Sequence, residues 1–344
     1  MNPESFDPNG IGLDNGAYFG MPFAPEECRL VLLSVPWDVT TSYGAGTAGG
    51  PDAIIGASTQ LDLHDPLSPG QWRKGIATLG IDYTIQERSM LLRKDARTVI
   101  AHLEKGGDPS DEHIRRRVQR INEASEALAD EIYAESCRWL EAGKTVGLVG
   151  GDHSTPLGHI RAVAERHPGI GILHIDAHAD LRPAYEGFTH SHASIMYNVL
   201  ERIPDVARLV QVGLRDYCDQ EAALALADPR VEWFEDARLA SDRFTGMSWE
   251  AQCRAIVEQL PQQVYVSFDI DGLSPDLCPS TGTPVPGGLS FNEAMYLIHT
   301  VTRSGRVIAG FDLVEVCPDP DSEWDANVGA RVLYRLCGQA LTSR

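Results

Sequence analysis

The residues best suited to chemistry lie in three short segments. Asp176-Ala-His178-Ala-Asp180 follows the apolar run GIGILHI (169–175), and Ser267-Phe268-Asp269-Ile270-Asp271-Gly272 ends a second such run. Gly150-Gly151-Asp152-His153-Ser154 stands where a third run turns toward a helix. Residues spaced by two on an extended chain point the same way, so each segment converges polar groups at the end of a strand. Taken singly, the first reads as two aspartates capping turns beside a satisfied, half-buried histidine. Together they gather His153, Asp176, His178, Asp180, Asp269 and Asp271 at strand ends, where open α/β sheets bind ligands. Four carboxylates sharing one site cannot all ionise without countercharge, and two divalent ions would cancel them. The expected cofactor is therefore a pair of divalent metal ions, Mn²⁺ or Ni²⁺, with Co²⁺ and Zn²⁺ competing on affinity. Such a pair lowers the pKa of a shared water from about 15.7 toward neutrality. Hydrolysis is the natural chemistry, and the residual negative charge favours a cationic electrophile.

The elements that must position these groups are legible as alternating patterns. Short apolar runs at 30–36, 75–81, 145–150, 169–175, 209–214, 263–270 and 307–316 read as strands buried on both faces. Ile114, Val118, Ile121, Leu128 and Ile132 keep helical spacing over 111–142, and Gly143 supplies the stop. Further helices are expected after Ser154, ending before Pro168, and from Asn292 to about Val301. Alternating strands and helices predict a mostly parallel sheet covered on both sides. The segments 64–74 and 104–110 read as polar punctuation. Residues 1–28, rich in Asn, Gly and Pro, are expected to form an arm lying on one catalytic domain, 29–344.

Composition narrows the partners. The 344 residues carry 49 acidic and 29 basic side chains, a formal charge of −20, which disfavours nucleic acid and anionic membranes. No apolar run is long enough to span a bilayer, and the N-terminus lacks the pattern of a secretory signal. Seven scattered cysteines without a CxxC pair suit a reduced, cytoplasmic setting. Gly44-Ala-Gly46-Thr-Ala-Gly49 matches a dinucleotide fingerprint, but seven residues separate it from the preceding strand and Pro51 follows, so it reads as a flexible loop near a pocket.

GGDHS (150–154), DAHAD (176–180) and SFDIDGLSPDLCPSTGTPVPGG (267–288) together resemble the arginase–agmatinase family of ureohydrolases, a likeness that extends from about residue 30 to GFDLVEVCP (310–318). The resemblance implies a single-domain, three-layer α/β/α fold with about eight mostly parallel strands, and hydrolysis of a guanidinium group to urea and an amine. It implies that His153, Asp176, Asp180 and Asp269 hold one ion, and His178, Asp176, Asp269 and Asp271 the other. His192, within Thr189-His190-Ser191-His192-Ala193-Ser194, matches the family's proton-shuttling histidine, with His190 in reserve; an imidazole titrating near neutrality would protonate the leaving amine. Glu293 matches the carboxylate that grips the guanidinium, and Thr283 would offer a hydroxyl or carbonyl to the same group.

The departures bear on the substrate. No arginine follows Gly50-Pro51-Asp-Ala-Ile-Ile, and RPAYEG (182–187) differs from the loop by which arginases hold an amino-acid carboxylate. Free guanidine or a small N-substituted guanidine is the expected substrate, with Trp37, Tyr43 and Tyr185 as candidate pocket walls. Agmatinase or guanidinobutyrase activity is the alternative, and a deacetylase-like amide hydrolase a more distant one. Relatives form trimers and hexamers, so a homo-oligomer is expected, with a hetero-oligomer containing an inactive paralogue compatible. Cys317 stands where the family often has Asn.

Overall fold

The computed structural model describes residues 6–343. Eight strands, β1 (Leu30–Val35), β2 (Ile76–Thr78), β3 (Thr145–Gly150), β4 (Ile170–Ile175), β5 (Val206–Val212), β6 (Val231–Phe234), β7 (Gln263–Asp269) and β8 (Val307–Val314), form one sheet in the order β2-β1-β3-β8-β7-β4-β5-β6. Every pairing is parallel, in agreement with the expected fold. The seven apolar runs all contain strands. The eighth, β6, escapes sequence reading because it is a four-residue edge strand, half-buried throughout.

Ten helices cover the sheet: α1 (Gly50–Ser58), α2 (Tyr83–Glu104), α3 (Glu112–Glu141), α4 (Leu157–Arg166), α5 (Ile195–Arg202), α6 (Asp219–Ala227), α7 (Asp236–Phe244), α8 (Trp249–Glu258), α9 (Phe291–Arg303) and α10 (Trp324–Thr342). One face buries Val149, Leu173, Val210, Val266 and Phe268 under α1 and α7–α10. The other packs Val146, Ile172, Leu209 and Tyr265 under α3–α6, with α2 joining through Leu92, Val99 and Ile100. This gives three layers, as strands buried on both faces require. The expected 111–142 helix is α3. Helix α2 lacks a strong sequence signal because only Ser89, Leu92, Ala96, Val99 and Ile100 of its 22 residues are buried.

The described part of the N-terminal segment packs on this frame. Tyr18 and Phe19 are buried, the Tyr18 hydroxyl lies 2.8 Å from Ser34 Oγ, and the Phe19 ring meets Tyr334 edge-on at 5.1 Å. Residues 1–5 lie outside the described residues. Among those described, no helix is long and apolar enough to cross a membrane.

Candidate metal centre and active site

The carboxyl ends of the adjacent strands β3, β8, β7 and β4 meet at the middle of the sheet. Each delivers acid or imidazole groups there: Asp152 and His153 after β3, Asp176, His178 and Asp180 after β4, Asp269 and Asp271 from β7, and Glu315 after β8. Because Ile175 pairs in register with Phe268, the next residues on the two strands, Asp176 and Asp269, emerge side by side. Gly151 makes the first turn possible: a Cβ there would lie 2.0 Å from the Trp37 carbonyl oxygen. Asp180 and Glu315 adopt φ of 54° and 62°, a conformation that costs a side-chain-bearing residue roughly 1–2 kcal/mol. Two of the chain's left-handed non-glycine residues are thus spent on aiming carboxylates into one site.

The six ligand candidates form two clusters. In the first, His153 Nδ1 lies 3.0 Å from Asp176 Oδ2, 3.1 Å from Asp180 Oδ2 and 3.2 Å from Asp269 Oδ2. In the second, His178 Nδ1 lies 3.1 Å from Asp271 Oδ2 and 3.4 Å from Asp176 Oδ1. Asp176 therefore presents one oxygen to each cluster. Asp269 Oδ1 accepts the Asp271 amide at 2.8 Å and Asp176 Oδ1 the His178 amide at 2.6 Å; of the two acids expected to bridge, Asp176 contacts both histidines and Asp269 contacts His153.

The donor set fits metal ions. His153 Nδ1 is buried among the Oδ2 atoms of Asp176, Asp180 and Asp269, while its Nε2–H donates to Ser267 Oγ at 3.0 Å and the Ser267 hydroxyl donates to Asp312 at 3.1 Å. That arrangement leaves the Nδ1 lone pair aimed at the three carboxylates, an orientation suited to a cation. Ligand atoms about 3 Å apart are also what a shared ion at roughly 2.1 Å requires in octahedral geometry. Burial and the neighbouring Asp271 and Asp176 charges hold the Asp269 carboxyl well above its usual range. Burial and Asp176 push Asp180 up to about 7. His153 and His178 are held well above the usual imidazole range: burial opposes their charge, but the facing carboxylates outweigh it. Without cations the cluster retains protons that a metal would displace.

A cleft of about 160 Å³ opens onto this centre, lined in part by His178, Asp180, His192, Ser42 and Thr283. His192 sits in a short 3₁₀ turn, its Nε2 3.2 Å from Ser42 Oγ. Ser42 is steadied from behind, since Arg93 of α2 donates to the carbonyls of Val39 and Thr41. Burial, with His178 and His153 adding repulsion, lowers His192 to about 3, on the neutral side of the titration expected of it. Thr283 Oγ1 lies 3.4 Å from Asp271 Oδ2. Tyr185, Arg182, Tyr217, Asp216 and Glu221 also line it, Asp216 exposed and Glu221 buried.

Other expectations are displaced. His190 turns away: its Nε2 contacts Glu126 Oε2 of α3 at 2.8 Å, and it is absent from the cleft lining. Glu293 lies at the third position of α9, closing a capping box with Ser290 and pairing with Arg243. It does not reach the cleft, because the sequence Ser-Phe-Asn-Glu uses that carboxylate for the helix start. Trp37 is packed in the core with Val35, Val39, Leu148 and Phe188 and serves the site through its backbone carbonyl. Tyr43 is exposed. The Gly44–Gly49 loop, expected to be flexible, is tied by Gly46 N–H to Asp38 at 2.8 Å and by Gly44 N–H to Gly282 at 3.3 Å. Cys317 is buried against it, near the Ala45 carbonyl.

Glu315 was missed as a site residue although GFDLVEVCP was part of the resemblance. Its buried Oε1 accepts the His153 amide at 2.9 Å and lies 3.9 Å from His192 Nδ1. Burial and the Asp152 charge hold its carboxyl well above the usual range. The available signal was an acid just past the carboxyl end of a buried, largely apolar strand, a signal like the one that marks Asp176.

Comparison with known proteins follows the same lines. A family model described as the arginase family matches residues 28–338. N(1)-aminopropylagmatine ureohydrolase of Thermus thermophilus is 33% identical over 325 residues, 93% of each chain. Proclavaminate amidinohydrolase of Streptomyces clavuligerus is 34% identical over 324 residues, covering 90% of this chain and 89% of its own. The solved structure of a Streptomyces clavuligerus proclavaminate amidinohydrolase superposes with a TM-score of 0.73 at 23% identity over 98% of this chain and all of that one. Agmatine ureohydrolase of Thermoplasma volcanium superposes at 0.68 with 21% identity, covering 93% of this chain and 92% of that one.

Proposed function

The chain belongs to the arginase family, ureohydrolases acting on amidino C–N bonds, and we propose that it hydrolyses a small N-substituted guanidine to urea and an amine at a centre of two divalent ions. The observation that carries the reading is Asp176, whose two oxygens face separate His/Asp clusters. His153, Asp176, Asp180 and Asp269 would hold one ion, and Asp176, His178 and Asp271 the other, with Mn²⁺ or Ni²⁺ suiting the mixed nitrogen and oxygen donors. When bound, two such ions would supply a water activated at neutral pH and positive charge beside the reacting guanidinium carbon.

The chain's own side chains do the rest. Glu315, buried and without a cationic side-chain partner, is the acceptor for the guanidinium N–H groups, a planar match that favours two parallel hydrogen bonds. His192, neutral at rest and oriented by Ser42, takes up the proton released on attack and delivers it to the departing nitrogen, which otherwise leaves poorly. Thr283 borders the same space. The small cleft favours a short substituent or none, and free guanidine belongs to the same reading.

Agmatine is the second reading. Asp216 stands exposed at the cleft mouth, while the nearby Arg182 is occupied by Glu221 at 3.6 Å and by the Tyr185 ring. That mouth suits a cationic tail better than a carboxylate, and two relatives bear names referring to agmatine-type substrates. A homo-oligomer in the cytoplasm is part of the proposal. Urea release measured across guanidine, dimethylguanidine, metformin, agmatine and arginine decides between the readings. Release from none of them, by metal-loaded protein, would reject both.

A further inference from the structure

A row of register partners crosses five strands just beneath the metal centre. Trp233 on β6 pairs with Gln211 on β5, Gln211 with His174 on β4, His174 with Ser267 on β7, and Ser267 with Asp312 on β8. Paired positions in a pleated sheet send their side chains to the same face, so these five strands carry one continuous polar layer. It lies two residues before Asp176 and Asp269 on their strands. Apart from Trp233 its members are buried, and buried polar groups demand partners.

The hydrogen bonds fix the direction of every proton on the β4–β6 side. Trp233 Nε1–H, which can only donate, meets Gln211 Oε1 at 2.7 Å. The Gln211 amide nitrogen therefore points the other way, donating to the Ala179 carbonyl at 2.8 Å and to His174 Nδ1 at 2.8 Å. Flipping the amide would set donor against donor at Trp233 and acceptor against acceptor at Ala179. His174 Nδ1 must then be the lone pair, and the ring proton must sit on Nε2. Nε2 lies 2.8 Å from Asp176 Oδ2.

We propose that His174 is a positioning residue of the metal centre: a neutral imidazole whose tautomer is fixed by Trp233 and Gln211, and which donates to Asp176 to orient the carboxylate facing both ions. The inference rests on the binuclear reading of the site. Although His174 is close enough to His153, Asp176 and Asp180 to complete a ligand set by distance, both of its nitrogens are committed, and it is not a ligand. The His153 side has the opposite polarity: its imidazole donates outward to Ser267, leaving its lone pair inward. The layer thus gives a proton to an anionic ligand and takes one from a neutral ligand, which is what each needs to hold a cation.

Two substitutions separate this role from general stability. In His174→Gln the amide can still reach Asp176 with an N–H. In His174→Asn the shorter side chain keeps an acceptor for Gln211 but does not reach Asp176. Metal-free protein is titrated with Mn²⁺ by calorimetry, bound metal is counted by elemental analysis, and thermal unfolding of the metal-free variants checks the fold. His174→Asn should bind Mn²⁺ about 10- to 100-fold more weakly, with His174→Gln within about threefold of wild type. Wild-type affinity in His174→Asn would overturn the proposal. So would equal weakening in both variants, which would make the imidazole itself a ligand. Wild-type protein taking up fewer than two equivalents would instead refute the binuclear reading, while the Asn–Gln difference would still decide the role of His174.

Discussion

Glu315 Oε1 lies 3.9 Å from Nδ1 of the cleft-lining His192, the first proposed as an acceptor for a cation and the second as a neutral carrier of protons. The His153 amide holds Glu315 Oε1 in place, and both side chains are proposed to engage the same small substrate. Glu315→Gln keeps the shape and removes the charge. It should lower kcat/KM by on the order of 100-fold or more without changing bound metal. Glu293→Gln should leave kcat/KM within about twofold and, because Gln also closes a capping box, cost at most about 1 kcal/mol through the lost ion pair with Arg243. A steady-state comparison of the two variants distinguishes the carboxylates, and a larger catalytic loss at Glu293 would reverse the assignment.

His192→Ala should slow turnover by roughly 10²- to 10⁴-fold with metal content intact. His190→Ala should be nearly silent in rate, because His190 faces Glu126 rather than the cleft. Single-turnover rates with elemental analysis check both, and an unimpaired His192→Ala would transfer proton delivery to solvent.

The mouth of the cleft makes a separate prediction. Asp216→Asn should raise KM for agmatine by about two- to fivefold, the worth of an exposed ion pair, while leaving KM for free guanidine unchanged. Equal effects on both substrates would show that Asp216 does not read the tail.

Acid lability should have a component remote from the metals. His159 is fully buried, between Ser136 Oγ and the Val146 carbonyl, and burial lowers it to about 4 from 6.5. The folded state keeps this ring neutral, whereas the unfolded chain protonates it below 6.5. Stability is therefore complete above pH 6.5 and lost as pH falls toward 4, by on the order of 3 kcal/mol. Urea unfolding across that range should show a shallower acid loss in His159→Gln than in wild type, even if the variant is weaker at neutral pH. Parallel curves would remove His159 as the cause.

What the sequence reveals of the site follows from what a strand end can display. His153, Asp176, His178, Asp180, Asp269 and Asp271 stand out because apolar runs stop at them, and the structure brings all six together. Glu315 carries the same mark but lacks the two-residue spacing, and its left-handed backbone has no sequence signature. Glu293 was misread because Ser290-Phe-Asn-Glu293 carries only helix-capping information. Trp37 shows a different limit, since ring direction depends on packing against α2 and α3 rather than on neighbours in sequence. His174 was hidden inside an apolar run; its need for Gln211 and Trp233 becomes visible only when β4, β5 and β6 are set in register. The parallel fold was legible because strands buried on both faces need no such long-range information.

The most direct test is a count of metal ions per chain. Elemental analysis after reconstitution and removal of free metal should give two equivalents for wild-type protein and one for Asp271→Ala, which removes a ligand from the His178 group alone. Asp176→Ala should lose both. A single equivalent in saturated wild-type protein, or two retained in Asp271→Ala, would contradict the paired centre on which the proposed chemistry depends.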